Sequence, residues 1–268
     1  MGVRSMRKDT ALITGASSGI GEVLAKNFAL GGYNLVLVAR NKNKLEALAQ
    51  QLEADTKAKV LVEPADLSSS DAAEKLASKL SQQGIDIDIL VNCAGVLEHG
   101  LYVDLTAKSH QGLIDLNVSG LTNMLSQFIP PMVARGNGRI LNVASISAFQ
   151  PVPSLATYAA TKAYVLSLSE SLAEELKDTG VTMTVLCPGI TATNMVERAQ
   201  QESSGLKIPD FIVGDVEEVA ADGYRACIKG ETICVPGVVN LAATVLGRAT
   251  PKWLLRRISG VVGRYTLK

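Results

Sequence analysis

Ala11-Leu12-Ile13-Thr14-Gly15-Ala16-Ser17-Ser18-Gly19-Ile20-Gly21 sets a short apolar run, a turn of small residues and a helix start in direct succession. Glycines at 15, 19 and 21 let the backbone approach whatever lies in the turn, and the helix N-terminus beyond them favours negative charge. Those are the requirements of a dinucleotide pyrophosphate. Glycine trios also build turns that bind nothing, because glycine takes positive φ without steric penalty. The strand–turn–helix context raises a nucleotide site above that plainer reading.

The same alternation runs outward from this stretch. Strand-like runs at 11–14, 34–39, 59–63, 87–92, 138–143, 181–187 and 231–235 are separated by helical patterns near 20–30, 42–55, 70–83, 106–134, 155–179 and 215–229. Leu35-Val36-Leu37-Val38 is apolar on both faces, as a strand of a parallel sheet covered by helices should be. Asp215 stands where it can cap the last of these helices. The pattern predicts one doubly wound α/β domain over residues 1–268, with no linker, repeat or low-complexity tract dividing it.

Composition narrows the partners. Lys+Arg and Asp+Glu balance at 26 each, so no global charge argues for nucleic acid. Cys93, Cys187, Cys227 and Cys234 lie in mostly apolar stretches, without a Cys-x-x-Cys pair or histidines at metal spacing. Reduced thiols, no metal site and a cytoplasmic protein are expected. The apolar stretch after Arg4, Arg7 and Lys8 is too short for a signal segment, and Met6 stands where myristoylation needs Ser or Thr.

Four further features carry chemistry. The second strand run ends at Ala39-Arg40, where an NAD-selective fold places an acid for the ribose 2′-hydroxyl. Arg40 offers planar donors to a 2′-phosphate instead, with Asn41, Lys42 and Lys44 beside it, so NADP(H) is expected over NAD(H). Tyr158 and Lys162 lie one helical turn apart, and an ammonium near a phenol stabilises phenolate, which suits an acid/base working on a carbonyl or an alcohol. Ser145 follows a strand run at the sheet end where ligand crevices form, and Asn117 is a poor helix former inside a helical pattern, marking a kink. Taken singly, each has a bland reading as a solvated arginine, a helix-surface pair, a turn serine or a tolerated misfit.

Together these residues resemble the short-chain dehydrogenase/reductase family. Thr14-Gly15-x-x-x-Gly19-x-Gly21, Asp66, Asn92-Cys93-Ala94-Gly95, Asn117, Ser145, Tyr158-x-x-x-Lys162 and Pro188-Gly189-x-x-x-Thr193 match its motifs in order and spacing over roughly 9–235. The resemblance implies a Rossmann-like fold of about seven strands. It implies Tyr158 as acid/base, Lys162 lowering the phenol pKa and holding the nicotinamide ribose, Ser145 orienting the substrate carbonyl, and Asn117 holding a water in the proton relay. Gly15, Ser17, Gly19 and Ile20 would line the pyrophosphate, Asp66 and Leu67 the adenine, and Asn92, Ala94 and Gly95 the adenosine half; Pro188, Gly189, Ile190 and Thr193 belong to the nicotinamide end. Arg40 matches the position that NADP-preferring members make basic. Cys93 replaces the family's second Asn, which predicts weaker loop support without loss of activity, and His99 and His110 match no catalytic position.

The stretch from Ile146 to Thr157 is largely apolar and uncharged, which points to a ketone or secondary alcohol with an apolar body as the small-molecule substrate. Residues 194–214 read as the family's substrate loop. Residues 241–268, within a C-terminal extension at 236–268, form a basic amphipathic pattern, read first as packing over the pocket or a subunit and second as weak contact with an anionic membrane surface. A homodimer or homotetramer is the family's habit. The competing readings are a non-catalytic NADP(H)-binding scaffold or redox sensor, against which the intact Ser145, Tyr158 and Lys162 argue, and a sugar-nucleotide epimerase, for which 268 residues are short.

Overall fold

A computed structural model describes residues 8–191 and 213–249. Seven parallel strands form one sheet in the order β3-β2-β1-β4-β5-β6-β7. They are β1 (Thr10–Thr14), β2 (Asn34–Ala39), β3 (Val60–Pro64), β4 (Ile89–Asn92), β5 (Gly138–Val143), β6 (Val181–Leu186) and β7 (Ile233–Cys234). The helices are α1 (Gly19–Leu30), α2 (Lys42–Asp55), α3 (Ala72–Gln82), α4 (Ala107–Ile114), α5 (Leu121–Arg135), α6 (Ala156–Glu175), α7 (Val216–Lys229) and α8 (Val238–Ala249).

The period-2 geometry of β2 explains why its run is apolar throughout. Leu35 and Leu37 enter the core shared with α1 and α2, while Val36 and Val38 enter the core shared with α3, α5 and α6. The chain winds from β1 outward to β3, then returns to β4 beside β1 and winds the other way. The carboxyl ends of β1 and β4 therefore flank the crevice where ligands of such sheets bind.

Two sequence expectations are corrected. The helix expected over 106–134 is divided: a π turn at Asp115–Gly120 separates α4 from α5 and contains Asn117. The extra residue of a π turn re-aims the side chains around it, and such turns collect at functional sites. The last strand is only Ile233–Cys234, paired with Val185 and Leu186, since it is an edge strand and Pro236 beyond it has no N–H to donate. Asp215 caps α7 as expected, its Oδ1 accepting from the N–H groups of Glu217 at 2.7 Å and Glu218 at 3.1 Å.

The expected substrate loop and most of the basic C-terminal pattern lie outside the described residues. The ends of the former are described: Thr191 pairs with Gly214 in an isolated bridge. No helix among the described residues is long and apolar enough to cross a membrane, and no cluster of potential metal ligands occurs among them.

Candidate active site

The turn after β1 meets the loop after β4. Gly15 has φ +69°, and a Cβ there would sit 2.9 Å from the backbone of Ala94. Gly21 is equally constrained, since a Cβ on it would collide with the carbonyl oxygen of Gly15. Ser18 occupies the N-cap position of α1 without making a side-chain cap bond. The first-turn N–H groups of α1 are thus left to a ligand, at the positive end of the helix dipole.

Thr14, which the sequence placed in the glycine motif without a role of its own, holds this junction. Its Oγ1 accepts from the N–H groups of Cys93 and Ala94, both at 3.0 Å, and donates to the carbonyl of Val91 at 3.2 Å. Loop support at the family's second Asn position therefore comes through backbone N–H groups, which any side chain at 93 leaves intact. The Cys93 residue is half-buried, and desolvation pushes its thiol up to about 12, so it stays protonated.

At the adenosine end, Arg40 is exposed beyond β2. Asp66 accepts from the hydroxyl of Ser68 at 2.7 Å and its N–H at 3.1 Å, which lowers its pKa, with a smaller contribution from the Arg40 charge. The Leu67 side chain is packed into the core on the α3 side, so only its backbone is left to meet a ligand. Asn92 is 4 % exposed and turned into the sheet, where its Nδ2 donates to Asn142 Oδ1. Its part is support. Ser17, Ser18, Gly19 and Lys44 line one groove, bringing a cation from α2 to the glycine turn.

The catalytic candidates converge at the carboxyl ends of β4, β5 and β6. Ser145 follows β5, caps the short 3-10 turn Ile146–Phe149 through Ser147 N–H, and stands near enough to the Tyr158 phenol to favour its ionised form. Tyr158 and Lys162 both lie on the buried face of α6. The Lys162 ammonium stands 5.7 Å from the Tyr158 ring centre and donates to the Val143 carbonyl at 2.9 Å. A Cβ on Gly95 would lie 3.2 Å from Asn117 Oδ1 and 3.4 Å from Lys162 Nζ, so the β4 loop must carry glycine there to let the two groups converge.

The electrostatics correct one expectation. Burial pushes the Tyr158 phenol up to about 12, against a smaller opposing effect of Ser145, and burial draws Lys162 down to about 8. Desolvation is the largest cause of both shifts, opposite in sign to the lowering expected of the phenol. The pair therefore rests at neutral pH as a phenol beside an ammonium, which is the protonation state of a general acid.

Asn117 is 1 % exposed. Its Nδ2 donates to Val96 O at 2.9 Å and to Thr161 Oγ1 at 3.2 Å, while its Oδ1 accepts from Val96 N–H at 2.9 Å. Both amide protons are used, so a relay water could be held only by the remaining oxygen lone pair or by a main-chain carbonyl. Thr161, unmarked in the sequence, links this amide to α6 by donating to Tyr158 O at 2.7 Å. His110, which matched no catalytic position, has both ring nitrogens satisfied, with Nδ1 bonded to Thr157 Oγ1 at 2.8 Å and Nε2 to Tyr102 O at 3.2 Å. Pro188 O accepts from Ile146 N–H at 2.9 Å, joining the β5 and β6 loops. Gly189 lies against Asn240 of α8, Ile190 is half-buried, and Thr193 lies outside the described residues.

A short chain dehydrogenase family model matches residues 9–204, well over half of the chain. The chain belongs to the short-chain dehydrogenase/reductase family. It is an oxidoreductase of that family. An uncharacterized oxidoreductase of Staphylococcus epidermidis is 36% identical over 192 residues, covering 72% of this chain and 82% of the relative. A short-chain dehydrogenase of Sphingobium yanoikuyae, solved in complex with NADPH, superposes with TM-score 0.80 at 34% identity over 90% of this chain and 93% of that one. The bulky-bulky ketone specific alcohol dehydrogenase of Comamonas testosteroni superposes with TM-score 0.78 at 33% identity, over 90% and 91% of the two chains. The glycine turn, the uncapped α1 N-terminus and the Tyr158–Lys162 face all lie toward the carboxyl edge of this family fold's sheet.

Proposed function

We propose that the protein is an NADP(H)-dependent oxidoreductase that interconverts a ketone and a secondary alcohol on an apolar body. The observation that carries this is the convergence of Ser145, just past β5, with Tyr158 and the Lys162 ammonium on the buried face of α6 at the carboxyl edge of the sheet.

The residues present fit the cofactor. Gly15, Ser17, Gly19 and Ile20 would hold its pyrophosphate at the α1 N-terminus, Lys162 its nicotinamide ribose, and Pro188, Gly189, Ile190 and Thr193 its nicotinamide end. Bound NADP(H) supplies or accepts the hydride. The chain's own work is positioning and proton transfer. In the reducing direction Ser145 donates a hydrogen bond to the carbonyl oxygen, and Tyr158, protonated at neutral pH, gives its proton to that oxygen as the carbinol forms. Lys162 stabilises the phenolate left behind, and Asn117 anchors the relay through which it is reprotonated. In the other direction the same groups take the proton.

Selectivity for the 2′-phosphate is supported by Ala39-Arg40 at the end of β2 and by Lys44 on the groove with Ser17 and Ser18. The NADPH-bound relative from Sphingobium yanoikuyae supports it as well. The apolar substrate is supported by Val96, Leu97, Ile146, Val152, Leu155 and Ile190. These half-buried side chains lie on the loops leaving β4, β5 and β6 and belong to neither core. The ketone-specific relative points the same way. A homodimer or homotetramer is proposed through α5 and α6, where Tyr164 and Val133 are exposed.

Calorimetric titration of NADPH and NADH, followed by a panel of bulky ketones and charged 3-oxo acids, tests this reading. NADPH is expected to bind tighter, and Arg40→Ala to weaken NADPH alone by roughly 10–100-fold, the worth of a hydrogen bond to a charged group. Tyr158→Phe should lower turnover by about 10²–10⁴-fold with cofactor binding intact. Equal or tighter NADH binding would overturn the cofactor assignment, and preference for charged oxo acids would overturn the substrate class.

A further inference from the structure

The polar groups beneath the catalytic face form a second, wholly buried arrangement. Asn92 on β4, Asn142 on β5 and Ser169 on α6 are 4 %, 0 % and 0 % exposed. Asn92 Nδ2 donates to Asn142 Oδ1 at 2.9 Å, and Asn142 Nδ2 donates to Ser169 Oγ at 2.9 Å and approaches Met183 Sδ at 3.4 Å. Ser169 Oγ donates onward to Val165 O at 2.7 Å. Asn92 Oδ1 has no hydrogen-bond partner among the described residues.

An arrangement of this kind is a poor way to gain stability. Burying amides gains little net free energy, and an orphaned acceptor is unfavourable. What it adds is direction. Val165 and Leu166 pack α6 on the sheet, and aliphatic packing alone tolerates small slides before stability suffers. A buried, directional hydrogen bond does not, because sliding would leave both partners unpaired in a dry interior.

Location gives this rigidity a use. Ser169 follows Tyr158 by three helical turns and Lys162 by two, on the same buried face of α6. Asn142 sits just before Ser145 along the strand that delivers it. Two polar ties join α6 to β5: Lys162 Nζ to Val143 O and Asn142 Nδ2 to Ser169 Oγ. The first is a long flexible side chain; the second joins two short ones, so of the two it sets the axial register of α6 on β5 the more closely. A slip by one residue is about 1.5 Å along the helix, and a misplacement of about 1 Å at reacting groups is enough to lower a rate by about 10²-fold.

We infer that Asn142 and Ser169 are positioning residues: the Asn142 amide, bridging Asn92 and Ser169, fixes the register of α6 on β5 and so where the Tyr158 phenol stands relative to Ser145. The inference rests on Tyr158 being the acid/base, as proposed above.

The test uses the full chain labelled with 3-fluorotyrosine, so that each of the six tyrosines has its own ¹⁹F resonance, that of Tyr158 being assigned by its loss in Tyr158→Phe. In Ser169→Ala the Tyr158 resonance is expected to shift or broaden more than the other five, and Ser169→Thr, which keeps the hydroxyl, to restore it. In steady-state reduction of a bulky ketone by NADPH, Ser169→Ala should lower kcat by about 10-fold, with KM, NADPH affinity and thermal midpoint little changed. Asn142→Leu should reproduce the spectral change if it folds; Ser169→Ala removes one hydroxyl from a helix and serves regardless. An unchanged Tyr158 resonance in Ser169→Ala overturns the inference. A wild-type protein that reduces no ketone, with the resonance still moved in Ser169→Ala, sinks the proposed activity and leaves the register role standing.

Discussion

Replacing Lys162 by methionine is expected to stabilise the folded protein at pH 7 while abolishing turnover. Lys162 is 6 % exposed, and burial draws its ammonium from 10.5 down to about 8. Between those values the unfolded chain holds the proton more tightly than the folded one. The penalty for burying the charge is therefore complete below about pH 8 and fades as pH rises to 10.5. At about 1.4 kcal/mol per tenfold change in proton affinity, the penalty is about 3 kcal/mol. Methionine removes it but forfeits the hydrogen bond to Val143 O, worth about 1–2 kcal/mol with that carbonyl left buried. The net gain at neutral pH is therefore about 1–2 kcal/mol. Urea unfolding followed by circular dichroism, at pH 7, 8, 9 and 10 and constant ionic strength, gives the difference between variant and wild type. Taking the difference largely cancels the thiols of Cys93 and Cys227, both raised to about 12, whose stabilising contribution falls as pH rises above their unfolded value. The difference should favour methionine at pH 7 and vanish or reverse by pH 10. A variant less stable than wild type at pH 7, by an amount independent of pH, would refute the account of Lys162 as a destabilising buried charge retained for chemistry.

Other outcomes follow from local geometry. Gly15→Ala places a Cβ 2.9 Å from Ala94 backbone atoms at φ +69°; a loss of at least about 1–2 kcal/mol is expected, with NADPH affinity falling further than Gly32→Ala, whose added Cβ meets nothing within 4 Å. Both are read by thermal denaturation and calorimetry. Ser154 is a non-glycine residue at φ 64°, so Ser154→Gly should be neutral or raise stability by up to about 1 kcal/mol in chemical unfolding. Asp215→Ala removes the cap of α7 and should cost about 1 kcal/mol, readable as a lowered unfolding midpoint with NADPH affinity unchanged.

Much of this architecture was legible because it depends on local rules. β2 is apolar at every inward position on both sides, which only a covered parallel strand tolerates, and α2 fell within its expected limits because Asn41 caps it through Lys44 N–H. The π turn was legible only as a misfit. Asparagine at 117 signalled irregularity, but the carbonyl and threonine that satisfy it, Val96 and Thr161, lie 21 and 44 residues away in the chain. The bonding roles of Thr14, named only as part of the glycine motif, and of Thr161 were missed for the same reason: a threonine at a strand end or in a helix carries no local mark of the long-range bonds it makes.

The sequence by itself determined the order of elements, the parallel sheet, the glycine turn and the residue types of the catalytic face, because periodicity, turn chemistry and motif spacing are properties of neighbours in the chain. Only the tertiary structure decided the ionisation of that face. The spacing of Tyr158 and Lys162 fixes their closeness on α6, and closeness alone predicts a lowered phenol; their burial comes from packing α6 against β5 and the β4 loop, and desolvation there is the largest cause of both shifts. Burial is a sum over contacts from distant segments, and no local pattern of residues encodes its magnitude.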